Sequence, residues 1–143
     1  MGGSQPSTVT YTLESSLDSV NRVEQTAEEM ARKAGLEDEE VFRVAMAVRE
    51  AAVNAVLHGN AYDPEKRMTA SFEHTADSLV IRIADQGKGL NPDSLPDPLA
   101  PENLLRTSGR GIFLIRSFMD DVQLRHLDSG GTEVTLVKNV ESK

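Results

Sequence analysis

Hydrophobic and polar positions alternate along this chain with two different periods. Apolar residues recur at helical spacing over residues 17–34, up to a helix-ending Gly35, and again over residues 38–58, with Asp38 as the expected N-cap. A shorter helix is expected over residues 109–119. Alternation with a period of two predicts five strands, at residues 9–13, 68–74, 78–85, 122–127 and 132–137.

One long segment, residues 87–108, shows neither period. It holds four prolines and two glycines, and at about 20 residues it is longer than most connections in a compact domain. Loops of this length are usually functional or disordered. Residues 1–7, rich in Gly, Ser and Pro, are expected to be disordered, which leaves one domain over residues 8–143.

Composition narrows the classes of ligand. The chain has 143 residues, a formal net charge of −8 and no cysteine. Because its field repels phosphate at a distance, we expect no direct binding to nucleic acid or to an anionic membrane. A phosphate ligand would need a local device such as a metal ion or a helix N-terminus. The lack of cysteine excludes disulfides and thiolate metal sites and fits a cytoplasmic protein.

The second predicted helix carries a polar stripe opposite its apolar face. Glu50, Asn54 and His58 follow one another at i+4 spacing, and together they can hold a hard cation and a water or hydroxyl. The side-chain carbonyl of Asn54 is an oxygen ligand of the kind that magnesium prefers. Taken alone, such a stripe is more often a solvated polar face. The apolar face, expected to pack on a sheet, comprises Val41, Val44, Ala45, Val48, Ala52, Ala55 and Val56.

A second signal lies at the end of the strand predicted over residues 78–85. Asp85 continues the face of Leu79 and Ile83, so its carboxylate should point toward the packed side of the sheet. A carboxylate there needs a donor, and the exocyclic amine of a purine is one. Gly87 and Gly89 follow and would let the backbone approach a ligand closely. The same residues are also common in a simple turn.

A third signal, Ser108-Gly109-Arg110-Gly111, opens the third predicted helix. Ser108 is a good N-cap, and the free N–H groups of a helix start bind phosphate that glycines allow to come close. Arg106 and Arg110 add positive charge nearby. The pattern is neither a Walker A motif nor the dinucleotide-binding glycine pattern, and alone it is compatible with an ordinary capped helix.

In this order and spacing, the three signals resemble the histidine-kinase-like ATPase superfamily of histidine kinases, DNA gyrase and mismatch-repair ATPases. The resemblance covers about residues 8–138. Within it, Arg49-Glu-Ala-Ala-Val-Asn-Ala-Val-Leu-His-Gly59 is similar to the N-box of the anti-sigma-factor serine kinases, and Gly109-Arg-Gly-Ile-Phe-Leu-Ile-Arg-Ser-Phe-Met-Asp120 to their second glycine box. The family has the Bergerat fold, a two-layer α/β sandwich in which a mixed, mostly antiparallel sheet packs against about three helices.

The resemblance also implies roles for individual residues. Glu50 matches the general base that acts on the attacking hydroxyl, Asn54 the magnesium ligand and Asp85 the adenine-binding aspartate, which Thr132 supports. His58 either contacts the nucleotide or merely ends its helix. The lid over the nucleotide corresponds to residues 90–108. The other implied nucleotide-binding positions are Gly87 and Gly89 at the adenine pocket, Gly109, Arg110 and Gly111 at the triphosphate, Ile112 as an apolar wall, and Arg106 near the terminal phosphate.

The activity implied by the resemblance is phosphoryl transfer from ATP, with Mg²⁺, to a serine or threonine of an anti-anti-sigma protein of the STAS type. The same family binds a sigma factor and holds it inactive. Two alternatives remain open: a nucleotide-dependent binding module without significant kinase activity, and a histidine-kinase catalytic domain. The second alternative lacks a histidine in a dimerisation-helix context.

A homodimer is also expected, chiefly because the resembled kinases are dimers. The strand at residues 9–13 lies near a terminus and would form a sheet edge. The first helix carries an apolar strip through Leu17, Val20 and Val23 that would cover a partner, unless these residues face the core of their own chain.

Overall fold

The computed structural model of the protein describes residues 7–60, 63–86, 111–128 and 130–140. In this part of the chain, five strands pair only antiparallel, in the order β1-β2-β3-β5-β4. The expected α+β fold with about three helices is confirmed. The elements in chain order are β1 (Ser7–Glu14), α1 (Leu17–Lys33), α2 (Asp38–Val53), a π-helical turn (Asn54–Gly59), β2 (Arg67–His74), β3 (Ser78–Ala84), α3 (Gly111–Phe118), β4 (Asp121–His126) and β5 (Thr132–Asn139).

The sheet has one buried face, which follows from the period-two pattern of its strands. On β3, Leu79, Ile81 and Ile83 are at most 1% exposed and belong to the hydrophobic core. Their neighbours in sequence, such as Arg82, point to the opposite face and remain half-buried. Strand β1 begins at Ser7, inside the stretch expected to be disordered, because it pairs with the far end of β2.

Helix α1 has well-defined signals at both of its ends. The Ser19 N–H donates to the Ser16 hydroxyl at 3.3 Å, which caps the N-terminus. At the C-terminus, the Leu36 N–H donates to the Ala31 carbonyl at 3.2 Å and Gly35 adopts a φ of 89°. This arrangement is a Schellman motif, in which glycine avoids the steric cost of a left-handed conformation. Gly35 as the helix stop is confirmed.

Helix α2 and the π-helical turn that follows it carry the predicted apolar face, and all seven of its residues are buried. Ala47 and Ala51 are also buried, so small side chains let α1 and the rest of the core approach closely. The prediction of Asp38 as N-cap is wrong: Glu37 precedes the helix and makes no side-chain cap. An acidic first turn favours the helix dipole without a capping hydrogen bond.

The apolar strip proposed on α1 for a dimer is not available. Val20 and Val23 are both 0% exposed and pack into the core of their own chain. Only Leu17, at the first turn, is substantially exposed. The other part of the prediction is confirmed, because β1 is an edge strand of the sheet, paired among the described strands only with β2.

A buried lysine joins the end of β5 to α2. The Lys138 ammonium lies 2.8 Å from the Glu40 carboxylate and 4.0 Å from that of Asp120. Charged groups at a core margin need such partners. The hydrogen bond from Lys138 holds the pKa of the Glu40 carboxyl below its ordinary value.

Candidate functional site

The helix of the polar stripe changes its hydrogen-bonding pattern at Asn54. The Asn60 N–H donates to the Ala55 carbonyl at 2.8 Å, an i→i−5 bond that gives the last turn a π-helical geometry. Such turns are rare and occur often at functional sites. The predicted helix therefore does reach residue 58, but with a wider final turn that begins at the expected magnesium ligand.

Asn54 presents an unsatisfied oxygen in this turn. Its side-chain Oδ1 is shielded from solvent and has no hydrogen-bond partner within the described part of the chain. Leaving a buried amide oxygen unsatisfied costs about 1–3 kcal/mol, so such an atom points to a missing partner. An amide oxygen is a suitable ligand for magnesium, and the site therefore fits the metal that the motif implies.

Glu50 lies one helical turn before Asn54 and is half-buried. The adjacent Arg49 is directed to α1 instead, where its guanidinium donates to Asn21 at 2.9 Å and to Glu24 at 2.8 Å. Arg49 thus fixes α1 against α2, and its charge is engaged by Glu24. A carboxylate on the same helical stripe as an oxygen ligand can accept a proton from a hydroxyl near the metal.

Asp85 is held by the strand next to it in the sheet. Its backbone N–H donates to the Thr132 carbonyl at 3.0 Å, and its carboxylate accepts from the Thr132 N–H at 3.2 Å. Gly131, with a φ of 95°, lies so close that a Cβ atom there would be 2.2 Å from the Asp85 carbonyl oxygen. Asp85 is therefore held in place by backbone groups of Thr132, and the adenine-binding role of Asp85 stays a prediction.

The residue after Asp85 is fixed from the other side. The Gln86 N–H donates to the Asn60 side-chain oxygen at 2.7 Å, and the Arg67 N–H donates to the Gln86 side-chain oxygen. Asn60 is 1% exposed, and its amide nitrogen donates to the Ser15 hydroxyl at 2.9 Å and to the Arg67 carbonyl at 3.0 Å. One buried amide thus links the end of the π-helical turn to β1, β2 and the end of β3.

The structure places some of the predicted site residues and leaves others outside its description. His58 belongs to the backbone of the π-helical turn, and Gly111 and Ile112 open α3, but the side chains of His58 and Ile112 are not among those described. Their predicted roles remain predictions. The same holds for the lid, residues 90–108, and for five predicted site residues that also lie outside the described residues: Gly87, Gly89, Arg106, Gly109 and Arg110.

Two residues of the site were missed by sequence reasoning. The sequence patterns identified neither Asn60 nor Gly131 as part of the site. The tandem Gly130-Gly131 directly before a strand was an available signal for Gly131, because the turn itself does not require both. Nothing local to Asn60 predicts its contacts, since its partners are distant in sequence.

Comparison with known proteins identifies the family of this chain. Residues 13–138 match the histidine kinase-like ATPase domain. The serine-protein kinase RsbW of Halalkalibacterium halodurans is 32% identical over 132 residues, which cover 88% of this chain and 80% of that protein. The serine-protein kinase RsbW of Staphylococcus epidermidis is 30% identical over 138 residues, covering 92% of this chain and 86% of that protein.

Two solved structures share the fold. A crystal structure of the RsbU and RsbW domains of a Mycobacterium tuberculosis protein has a TM-score of 0.65 at 16% identity, covering 96% of this chain and 33% of that longer one. The mycobacterial sensor histidine kinase MprB has a TM-score of 0.54 at 14% identity, covering 97% of this chain and all of that one. At these identities the likeness concerns the fold alone.

Among the described residues, no helix is long and apolar enough to cross a membrane.

Proposed function

Because this chain belongs to the histidine kinase-like ATPase domain family, and within it to the family of the serine-protein kinases RsbW, we propose that it is a serine/threonine-protein kinase and anti-sigma factor. It binds ATP with Mg²⁺ and transfers the terminal phosphoryl group to a serine or threonine of an anti-anti-sigma protein in the cytoplasm. It also binds a sigma factor and holds it inactive.

The observation that carries this proposal is the buried side-chain oxygen of Asn54, one helical turn after Glu50, which has no hydrogen-bond partner among the described residues. A purely structural asparagine would satisfy that oxygen with a protein donor. Arg49, the residue before Glu50, forms its ion pair with Glu24 and therefore does not occupy the Glu50 carboxylate. Asn54 is therefore suited to hold a metal ion, and Glu50 to accept a proton from a hydroxyl near it.

The residues divide the chemistry among them. The magnesium–ATP complex, when bound, supplies the transferable phosphoryl group and neutralises its charge. Asn54 would hold the metal through Oδ1. Asp85 would accept a hydrogen bond from the adenine amine, with its carboxylate already oriented by Thr132. Glu50 would orient the substrate hydroxyl and take its proton.

We also propose a homodimer, formed through a surface other than the buried side of α1. Among the described strands, β1 pairs only with β2, and edge strands are natural sites for pairing with a second copy.

Titration calorimetry with ATP, with and without Mg²⁺, tests the nucleotide site. We expect Asn54→Ala to weaken binding at least about tenfold only when Mg²⁺ is present, since it removes a metal ligand. Asp85→Ala should weaken binding at least about tenfold in both conditions, because the adenine amine loses a charged acceptor. The exposed Asn139→Ala serves as a matched control.

Equal affinity of the wild type, Asn54→Ala and Asp85→Ala would refute the nucleotide site. Labelled ATP with candidate anti-anti-sigma proteins then tests the kinase activity. Tight magnesium-dependent binding without transfer to any such protein would favour the alternative of a nucleotide-dependent binding module.

A further inference from the structure

Asn60 lies between the helix that carries Asn54 and the segment after β3 that carries Asp85. All of its hydrogen-bonding groups are used. Its backbone N–H closes the π-helical turn, and its carbonyl accepts from the Asp63 N–H at 2.9 Å. Its side-chain oxygen accepts from Gln86, and its amide nitrogen donates to Ser15 and Arg67. A residue bonded in this way has one allowed position, because moving it breaks several bonds at once.

The contact with Gln86 has a direct consequence for Asp85. The two residues are consecutive, so fixing the backbone nitrogen of Gln86 fixes the peptide plane that leaves Asp85. On its other side, Asp85 is bonded twice to Thr132. Its carboxylate is therefore held between β5 and the end of the helix that carries Asn54.

We propose that Asn60 is a positioning residue for base recognition: it sets the location of the Asp85 carboxylate relative to Asn54 and so contributes to selection of adenine over other purines. The inference rests on the adenine-binding role given to Asp85. Asn60 does not touch the nucleotide itself. It acts through the Gln86 backbone, and its effect should appear in base selectivity rather than in phosphate binding.

ATP and inosine triphosphate provide the measurement, because in inosine the exocyclic amine at C6 is replaced by a carbonyl oxygen and the adjacent N1 carries a hydrogen. A carboxylate accepts from the amine and repels the carbonyl oxygen. The ratio of the two dissociation constants therefore reports the position of Asp85, and it is independent of the triphosphate contacts and of the active fraction. We expect a wild-type ratio of at least about tenfold in favour of ATP.

In this assay, we expect Asn60→Ala to reduce the ratio at least about threefold, since the Gln86 N–H loses its acceptor. Ser15→Ala is the matched control. It removes another hydrogen bond of the same buried amide but leaves the contact with Gln86, so the ratio should stay at the wild-type value. A merely structural role for Asn60 would lower the melting temperature of both variants and leave both ratios unchanged.

A second pair of variants tests the same bond without touching the core. Gln86 is exposed, so both Gln86→Ala and Gln86→Pro should fold. Both lose the side chain, but only proline also removes the backbone N–H that donates to Asn60. We expect a lower ratio in Gln86→Pro than in Gln86→Ala.

The outcomes separate the inference from the function on which it rests. If the wild type does not prefer ATP, or if Asp85→Ala keeps the preference, the adenine role of Asp85 is wrong and the inference falls with it. If Asp85→Ala removes the preference while Asn60→Ala and Gln86→Pro both retain it, only the positioning role of Asn60 is refuted.

Discussion

Gly131 lies where a side chain would collide with the backbone of Asp85, and replacing it by alanine should disrupt the adenine end of the site. The added Cβ atom would be 2.2 Å from the Asp85 carbonyl oxygen and 3.2 Å from its carboxylate. Ordinary contact begins at 3.4 Å, so backbone atoms would have to separate by roughly 1.2 Å. Thr132, the residue after Gly131, forms two hydrogen bonds with Asp85, and this shift would break at least one of them.

The magnitude follows from three contributions. A left-handed conformation costs an alanine about 1–2 kcal/mol relative to glycine. Loss of the bond to the carboxylate adds about 1.5–3 kcal/mol, and the backbone bond about 0.5–1.5 kcal/mol. If both bonds are lost, Gly131→Ala should therefore destabilise the protein by about 3–6.5 kcal/mol. A domain of this size has about 5–15 kcal/mol of stability, so the variant should remain folded in most of this range.

Gly35→Ala is a matched control for strain. Gly35 has a φ of 89°, almost that of Gly131, but no atom lies within 4 Å of the position that a Cβ atom would take there. Its substitution should cost only about 1–2 kcal/mol and leave ATP affinity unchanged. Urea unfolding followed by circular dichroism and calorimetric ATP binding measure both effects. Gly131→Ala should bind ATP at least about tenfold more weakly. Equal stability and equal affinity in the two variants would refute the reasoning.

Three further outcomes are expected. Glu50→Gln should keep nucleotide binding but slow phosphoryl transfer roughly 10²-fold, as loss of a general base does; transfer at the wild-type rate would show that Glu50 is not the base. Glu40→Gln should lose roughly 1 kcal/mol of stability at neutral pH, because Lys138 loses its nearest charged partner. The difference in free energy of unfolding between wild type and variant should vanish as the pH falls through the lowered pKa of Glu40. A pH-independent difference in urea denaturation would contradict this. Val20→Glu should unfold the chain, while the exposed Leu17→Glu stays folded; a folded Val20→Glu monomer, seen by light scattering and circular dichroism, would contradict the burial of Val20.

Much of the fold could be predicted because it depends on local patterns. The apolar face of α2 and the inward face of β3 follow from hydrophobic periods. The same patterns do not say what covers an apolar face. The pattern was therefore compatible with Val20 in a dimer surface or in the core, and in the structure Val20 is buried in the core.

The features that sequence reasoning missed depend on contacts between distant segments. The π-helical turn requires one residue more than an α-helical turn, and Asn60 closes it while bonded to three other segments. No short window around Asn60 contains Ser15 or Gln86, which are 45 and 26 residues away. The position of β5 in the sheet was equally inaccessible, because the β4–β5 hairpin could have joined β3 through either of its strands.

That position has a consequence for how the protein is made. Strand β5 is the last of the five strands along the chain, yet it lies between β3 and β4 in the interior of the sheet. On the ribosome, β1, β2 and β3 can pair as they emerge, but the β3 edge stays open until β5 has been synthesised. Asp85 meets Thr132 only at that stage. A nascent chain therefore exposes the β3 edge before Asp85 has its partner in β5, so nucleotide binding cannot protect that edge during synthesis.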